Sequence, residues 1–286
     1  MSAAIATPAP SRRRRVRYAT WLPLGLLVIF VAAAVFAPYV APYDPNQQNL
    51  LGRLKAPGFV SRGITYWLGS DELGRDLLSR VIHGARISLF VAFASVILSG
   101  TVGVLLGMLA GYLRGAVEVI VMRVVDIFLS VPAILLAIIT VAVLGPGLIN
   151  VIVVLALTRW PRYARVAYGQ TLGVANMPYV RLATFMGAGP GRVLFRHILP
   201  NIIGAVTVVA TLEFGLMVLF EAGLSFLGLG VQPPTASWGA MLSTGRNYLA
   251  TAWWIATFPG LCLFLLVLAI NLLGDDLRDR FDPRLQ

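Results

Sequence analysis

The chain has 286 residues, 58% of them hydrophobic and 12% charged, where a soluble domain carries about 25% charged residues. That deficit excludes a soluble enzyme of this length and a disordered chain, and leaves a protein that crosses a membrane several times. The formal charge of +11 comes from 23 basic against 12 acidic residues, and because most basic residues lie between apolar runs, membrane topology accounts for them without nucleic acid.

In chain order, residues 1–20 form a basic segment with five arginines between Arg12 and Arg17. An apolar helix from Trp21 to Tyr39 follows, within a first membrane segment 21–40, long enough for the ~30 Å hydrocarbon core of a bilayer. Basic residues before an apolar run and small residues near Ala37 also fit a cleaved signal peptide, but the run is long for one. With five more spans behind it, an uncleaved anchor is expected.

Residues 41–87 read as an outer loop. Its Lys55 is the only lysine of the chain and has no glycine run before it, so there is no phosphate-binding Gly-x-x-x-x-Gly-Lys motif. From about 70 to 87, Leu73, Leu77, Leu78, Val81 and Ile82 recur at helical spacing, with Ser70-Asp71-Glu72 as a helix start. This predicts an amphipathic outer helix, lying on the membrane surface or capping the spans.

A five-helix core over 88–274 is expected next. Its spans are Leu89–Tyr112, Val124–Leu144, Leu148–Trp160 (running on toward Tyr168), Ile202–Phe220 and Thr251–Leu273. Gly145-Pro146-Gly147 makes a tight turn between the second and third of these. Arg159, Arg162 and Arg165 share one helix side near a membrane boundary and read as snorkelling anchors. Glu213 sits in mid-span and Glu221 near its outer end, ~80° apart around a helix. Intramembrane carboxylates face protein or water, so both are translocation-pathway candidates, with no partner legible. Asn271 suits a helix–helix hydrogen bond or a solute contact. Trp238, Trp253 and Trp254 read as an interfacial aromatic belt. Cys262, the lone cysteine, lies in an apolar run, so neither an internal disulfide nor a Cys-rich metal site is possible. His83 and His197 are too few for a histidine-built metal centre. No catalytic, cofactor-binding or metal residue is expected in this chain.

Topology follows from Lys and Arg. With six spans, segments on the side of the N-terminus hold 16 basic residues against 7 on the other, which puts both termini, including the tail 275–286, in the cytoplasm.

The segment 169–200 then lies on the cytoplasmic side. Pro178 suits the first turn of a short helix, Gly187 can end it with a positive φ, Pro190 can start another, and Pro200 marks the beginning of the next span. Val180, Leu182, Ala183, Phe185 and Met186 give that short helix an apolar surface, which on a water-facing loop wants a partner.

This loop resembles the signature of the permease subunits of binding-protein-dependent ABC importers: Glu-Ala-Ala, three residues, Gly, nine residues, Ile-x-Leu-Pro. Gly187 and Leu199-Pro200 fall in place with the interval intact. Arg181-Leu182-Ala183 stands at the Glu-Ala-Ala positions and His197 at the Ile position, a variant similar to that of the peptide-import branch. Further stretches resemble the C-type permease of dipeptide and oligopeptide importers over nearly the whole chain: Asp44–Leu50, Leu68–Arg80 running on through Gly84–Leu89, Leu224–Pro234 with Ser237-Trp238-Gly239, Phe258-Pro259-Gly260, and Asn271–Asp279 with Asp282-Pro283-Arg284.

The resemblance implies an all-α polytopic protein of the type I ABC importer permease kind, in a bacterial plasma (inner) membrane. It implies a coupling helix, with Arg181, Leu182, Ala183, Phe185, Met186, Gly187, Arg192 and Pro200 at the contact with an ATPase. The implied partners are a homologous second permease, two ATP-binding subunits or domains that hold ATP and Mg, an extracytoplasmic solute-binding protein, and membrane lipid. Cargo would be di- or oligopeptides, with nickel chelates or glutathione as alternatives. A self-contained secondary transporter is disfavoured because no internal repeat relates 1–140 to 141–286. An intramembrane protease built on Ser225 would need a base, and both histidines fall outside the spans.

A reporter fused after Gln286 is expected to read cytoplasmic; an external reading overturns the six-span topology.

Overall fold

The computed structural model describes residues 13–61 and 63–281, with side-chain surroundings over 21–61 and 63–279. The residues before Arg13, Arg62 and the tail after Phe281 lie outside the described residues, so the N-terminal basic segment and the final Asp282-Pro283-Arg284 match are described only in part or not at all.

The chain begins with α1 (Arg13–Val35) and the single turn α2 (Ala37–Val40). A small hairpin follows, with β1 (Phe59–Ser61) antiparallel to β2 (Ile64–Tyr66) and Phe59 opposite Tyr66. Then come α3 (Leu77–Leu113), α4 (Gly115–Ser130), α5 (Ala133–Leu144) and α6 (Leu148–Ala175). The loop helices α7 (Pro178–Phe185) and α8 (Pro190–Val193) precede α9 (Leu199–Phe226), and α10 (Trp238–Gly245) and α11 (Trp254–Phe281) complete the described chain.

Among the described residues, three helical stretches are long and apolar enough to cross a bilayer alone: Leu77–Leu113, Pro190–Phe226 and Trp254–Asp279. The expected span Val124–Leu144 is instead two helices, α4 and α5, bent by 92° at the break. The cause is Val131-Pro132. Proline donates no backbone hydrogen bond and pushes the preceding residue out of the helical region, and Val131 sits at φ −95°, ψ 133°. Taken together the pair has the apolarity of one span. The apolar part of α1, Trp21–Val35, is shorter, and α6 carries its three arginines.

The expected helix over 70–87 begins later than Ser70. Asp71 accepts hydrogen bonds from the backbone N–H groups of Leu73 and Arg75, both at 2.9 Å, and an ion pair from Arg75 at 2.6 Å. A short acidic side chain bonded to the next residues in this way makes a turn. Asp76 is the true cap, accepting from the Ser79 N–H at 2.8 Å and its hydroxyl at 2.7 Å. Residues 77–87 are therefore the first turns of α3, continuous with the span. At 37 residues α3 runs to ~55 Å, so those turns stand beyond the hydrocarbon. Burial raises the Asp76 carboxyl above the usual carboxylate range; the Ser79 bonds act against this and nearby Asp71 adds to it.

The centre of the fold is the parallel pair α3 and α6. They meet along a seam of Gly103, Gly107 and Gly111 on α3. A Cβ at Gly107 would lie 2.9 Å from the Ala167 Cβ, and one at Gly111 2.9 Å from the Thr171 Cβ. Small residues at such spacing let backbones approach, which is how membrane helices gain packing without a hydrophobic drive. α9 runs antiparallel to α6, and α11 returns along it, with the Asn271 Oδ1 beside Gly215 and Thr211 beside Gly274. The helices α3, α6 and α11 thus all end where the 176–190 loop lies, and α1, packed through Phe30 on Trp238 at 5.7 Å, runs the opposite way.

Two of the three expected belt tryptophans are structural. Trp238 is fully buried and donates its indole N–H to the Val81 carbonyl at 2.9 Å, in space left by Gly84. Trp254 is buried and donates to the Ser70 carbonyl at 3.1 Å. Only Trp253, at 51% exposure, keeps the position of an interfacial side chain. A buried indole needs a hydrogen-bond partner, and these two tie α3 and the Ser70 turn to the α9–α11 connection.

Gly107→Leu is expected to wedge α3 from α6. Overpacking a tight contact costs about 1–3 kcal/mol or more, read as a lower melting temperature in detergent. An unchanged melting temperature would contradict the close approach.

Candidate functional site

Two features stand out, a charged cavity and an exposed loop helix. The cavity has a volume of about 760 Å³ and lies among α4, α6, α9 and α11. Its polar lining is Arg162 and Arg165 from α6, Glu213 from α9, and Asn271 and Asp275 from α11. Val166, Val209, Leu212 and Leu216 supply apolar walls.

Glu213 is held from two sides. Arg159 approaches its Oε2 at 3.6 Å and Arg162 its Oε1 at 3.2 Å. Residues three apart on a helix are neighbours on one face, so α6 offers both guanidinium groups to one carboxylate. Their environments differ. Arg159 is 3% exposed and lies over the Phe220 ring at 4.0 Å, a favourable cation–π contact when desolvated. The Arg162 side chain is 53% exposed, toward the cavity. Within this ion-pair cluster, the buried Arg159 Nε and Glu213 Oε2 have no hydrogen-bond partner. Arg165 pairs with Asp126 of α4, and Tyr168 donates to Glu118, giving two polar links between α4 and α6. The three arginines expected as lipid-boundary anchors are therefore engaged with acidic partners on α9 and α4; of the three only Arg159 is buried, and there pairing offsets part of the desolvation cost.

Of the three pathway candidates, Glu213 and Asn271 line the cavity and Glu221 does not. Glu221 is fully buried and accepts hydroxyl hydrogen bonds from Ser88 at 2.8 Å and Ser225 at 2.7 Å, tying α3 to α9. Ser225 donates to a carboxylate and has no histidine partner; His83 bonds the Ser79 carbonyl and His197 faces the Tyr179 ring.

The loop helix α7 starts on Pro178 and ends before Gly187, whose φ is +88°. Val180, 1% exposed, anchors it in a cluster with Val104, Met108, Tyr163, Val193 and Ile198. Its other face is bare: Leu182 is 60%, Phe185 88% and Met186 80% exposed. Arg181, Arg192 and Pro200 are exposed too, and Ala183 is half-buried. Arg181 donates to the Asn176 Oδ1 at 2.9 Å. Pro200 interrupts nothing: a π-helical turn over Leu194–Ile198, closed by the Leu199 N–H on the Leu194 carbonyl, carries the helix from Pro190 into α9. Sequence reasoning missed Arg159 and Arg162 as partners of Glu213, and Asp275 as a residue lining the cavity. The available signal was the three-residue spacing of two arginines on a span antiparallel to one carrying a mid-span glutamate.

A bundle of alternating helices, with charge buried at mid-depth and an apolar helix displayed at one end, defines a polytopic permease. Residues 103–286 match the family described as the binding-protein-dependent transport system inner membrane component, and residues 19–57 match the N-terminal transmembrane domain of oligopeptide transport permease C. The chain belongs to the binding-protein-dependent transport inner-membrane component family.

Among its relatives is the di/tripeptide transport system permease of Pseudomonas aeruginosa, 47% identical over 92% of this chain and 87% of that protein. The glutathione transport system permease of Pectobacterium atrosepticum is 42% identical over 96% and 90%. The dipeptide transport system permease of Haemophilus influenzae is 41% identical over 92% and 90%. Among solved structures, the inward-facing MetNI methionine ABC transporter aligns with a TM-score of 0.57 at 21% identity, over 72% of this chain and 98% of that one. An amino acid ABC transporter aligns with a TM-score of 0.53 at 15% identity, over 71% and 94%. These two share the fold.

Arg159→Met leaves Glu213 with only the half-exposed Arg162. Removing one member of a buried pair costs about 3–5 kcal/mol, expected as a fall in detergent stability. Adding Glu213→Gln should recover part of the loss; a double variant as unstable as the sum of the singles would show that the two do not interact.

Proposed function

We propose that the chain is the permease subunit of an ATP-driven peptide importer. It forms half of a translocation pathway for di- or oligopeptides and passes conformational change from separate ATPase subunits to that pathway. The observation that carries the mechanical part is the bare face of α7, where Leu182, Phe185 and Met186 project from a helix whose opposite side is locked by Val180. Exposed apolar clusters of this kind mark protein contacts. Arg181 and Arg192 beside it suit an acidic partner surface.

ATP and Mg belong to those ATPases, since the only lysine here lies outside any phosphate loop. The remaining partners are a homologous second permease, which completes the pathway, and an extracytoplasmic binding protein that delivers cargo. Both chain termini and the α7 loop face the cytoplasm on this reading, in agreement with the Lys/Arg distribution. Peptide cargo is supported by the Pseudomonas and Haemophilus relatives, a di/tripeptide and a dipeptide transport permease. Glutathione is the second reading, favoured by the Pectobacterium relative.

Glu213 and Asn271 are the pathway-lining residues in this reading. Half-exposed Arg162 and Arg165 cannot face hydrocarbon without large cost, which supports a water-accessible or permease-facing cavity. Glu221 acts as a tie between α3 and α9 beside that pathway.

Affinity purification of the chain from its own membranes in mild detergent is expected to bring P-loop ATPases and a second multi-span permease, identified by mass spectrometry. A stable chain recovered alone across several detergents would overturn the subunit reading. Gly187→Pro forces φ from +88° toward −65°; it is expected to insert normally and to lose uptake, and normal uptake would remove the coupling role of the break.

A further inference from the structure

The cavity is lined with charge of both signs, Arg162 and Arg165 from α6, Glu213 from α9 and Asp275 from α11. On the α6 wall, Arg162 reaches Glu213 with one nitrogen, and more than half of its side chain remains open. On the α11 wall, Asn271 and Asp275 are four residues apart, on one face, and both are exposed. Among the described residues, neither has a hydrogen bond or ion pair. A guanidinium presents five donors in a planar fork, and one carboxylate oxygen at 3.2 Å leaves most of them available. Glu213 does not depend on Arg162 alone, because Arg159 stands at 3.6 Å from its other oxygen. The Glu213 Oε2 and the Arg159 Nε lack hydrogen-bond partners, so the buried half of the cluster can tighten when the exposed half is drawn away.

We propose that this cavity is a transit site for a zwitterion, in which Arg162 takes the solute carboxylate in exchange for Glu213 and Asp275, helped by Asn271, takes the solute ammonium group. The inference rests on the permease reading above and names the parts of the cargo that this chain itself recognises: the two charged ends of a short peptide. A volume of about 760 Å³ falls within the ~300–1,000 Å³ of ordinary small-molecule sites. Exchange also keeps the interaction weak enough for transport. The incoming carboxylate gains Arg162 while Glu213 falls back on Arg159, so neither state leaves an unpaired buried charge. The Val166, Val209, Leu212 and Leu216 walls accept side chains without selecting among them.

The test uses the complete transporter in proteoliposomes with its loaded binding protein. Uptake of dialanine, dialanine amide and N-acetyl-dialanine is measured for each variant relative to wild type on the same substrate, which cancels the binding protein's own preference. Arg162→Gln is expected to lower uptake of dialanine and N-acetyl-dialanine by about tenfold or more, the worth of a charged hydrogen bond, and to leave the amide within about twofold. Asp275→Asn should show the crossed pattern, lowering dialanine and the amide and sparing the N-acetyl compound. Arg162→Lys should keep the wild-type pattern, and ATPase stimulation by the loaded binding protein should persist in all three variants.

Equal loss on all three substrates in Arg162→Gln or Asp275→Asn, or loss of stimulated ATPase activity, would make these residues structural and overturn the transit site while leaving the peptide reading intact. Failure of wild type to take up any of the three would overturn both.

Discussion

A carboxylate in the middle of an apolar helix governs the rest of this structure. Glu213 needs cations, and α6 supplies two from one face. That requirement fixes the rotation and depth of α6 against α9, because the buried guanidinium of Arg159 has few other ways to be satisfied. It also explains why α6, though it is 28 residues long, is not among the helices apolar enough to cross a bilayer alone. The helix is stabilised by what packs on its two sides: the glycine seam of α3 on one, the acidic groups of α9 and α4 on the other. Lipid offers no comparable interaction with a charge at that depth.

The same helices link the cavity to the exposed loop. From Pro190 to Phe226 the backbone is continuously helical, so the loop and Glu213 sit on one stiff rod. The rod begins in the hydrophobic cluster that includes Val180 of α7, Val104 and Met108 of α3 and Tyr163 of α6. A push on α7 is therefore shared by α3, α6 and α9 together, and the one place where the ladder can change its turn is the π-helical segment Leu194–Ile198. The break at Val131-Pro132 gives the α4–α5 pair a different character. α4 is fastened to α6 by Asp126 and Glu118, whereas α5 leaves at 92° and buries Ala137 and Val141. On the proposed reading, loop motion moves the α6–α9 pair as a unit, with α4 fastened to it, and changes the cavity mainly where it meets α11.

Much of this was legible in the sequence where one residue type admits one backbone solution. Pro178, Gly187 and Pro190 mark α7 and its break, and apolar length marks α3, α9 and α11. The remainder depended on pairings between residues far apart in the chain. Arg159 looked like a boundary anchor because nothing in its neighbourhood reveals a glutamate 54 positions later. Trp238 and Trp254 looked like belt residues because an indole near a span end suits either role, and only the Val81 and Ser70 carbonyls decide. Sequence alone does not place the start of α3, because Ser70, Asp71 and Asp76 are all competent caps. Asp71 was taken by Arg75 and the Leu73 N–H, leaving Asp76 to start the helix. Val131-Pro132 was readable as a helix break, but the apolar count on either side masked it.

Glu213 and Glu221 show why composition alone does not locate a pathway. They are the same residue type, eight residues apart on one helix and both surrounded by apolar sequence. Glu221 meets hydroxyls only, from Ser88 and Ser225, in a space with no room for solute, so its role is to join α3 to α9. Glu213 meets two arginines, one of which opens on a cavity. Hydroxyl partners can satisfy a carboxyl group in place but offer nothing to exchange. An arginine pair with one member exposed holds the carboxylate in two half-independent interactions, and one of them can be given up. Exchangeable pairing, more than the presence of charge, is what distinguishes a group able to engage a passing ion from one that only fastens helices.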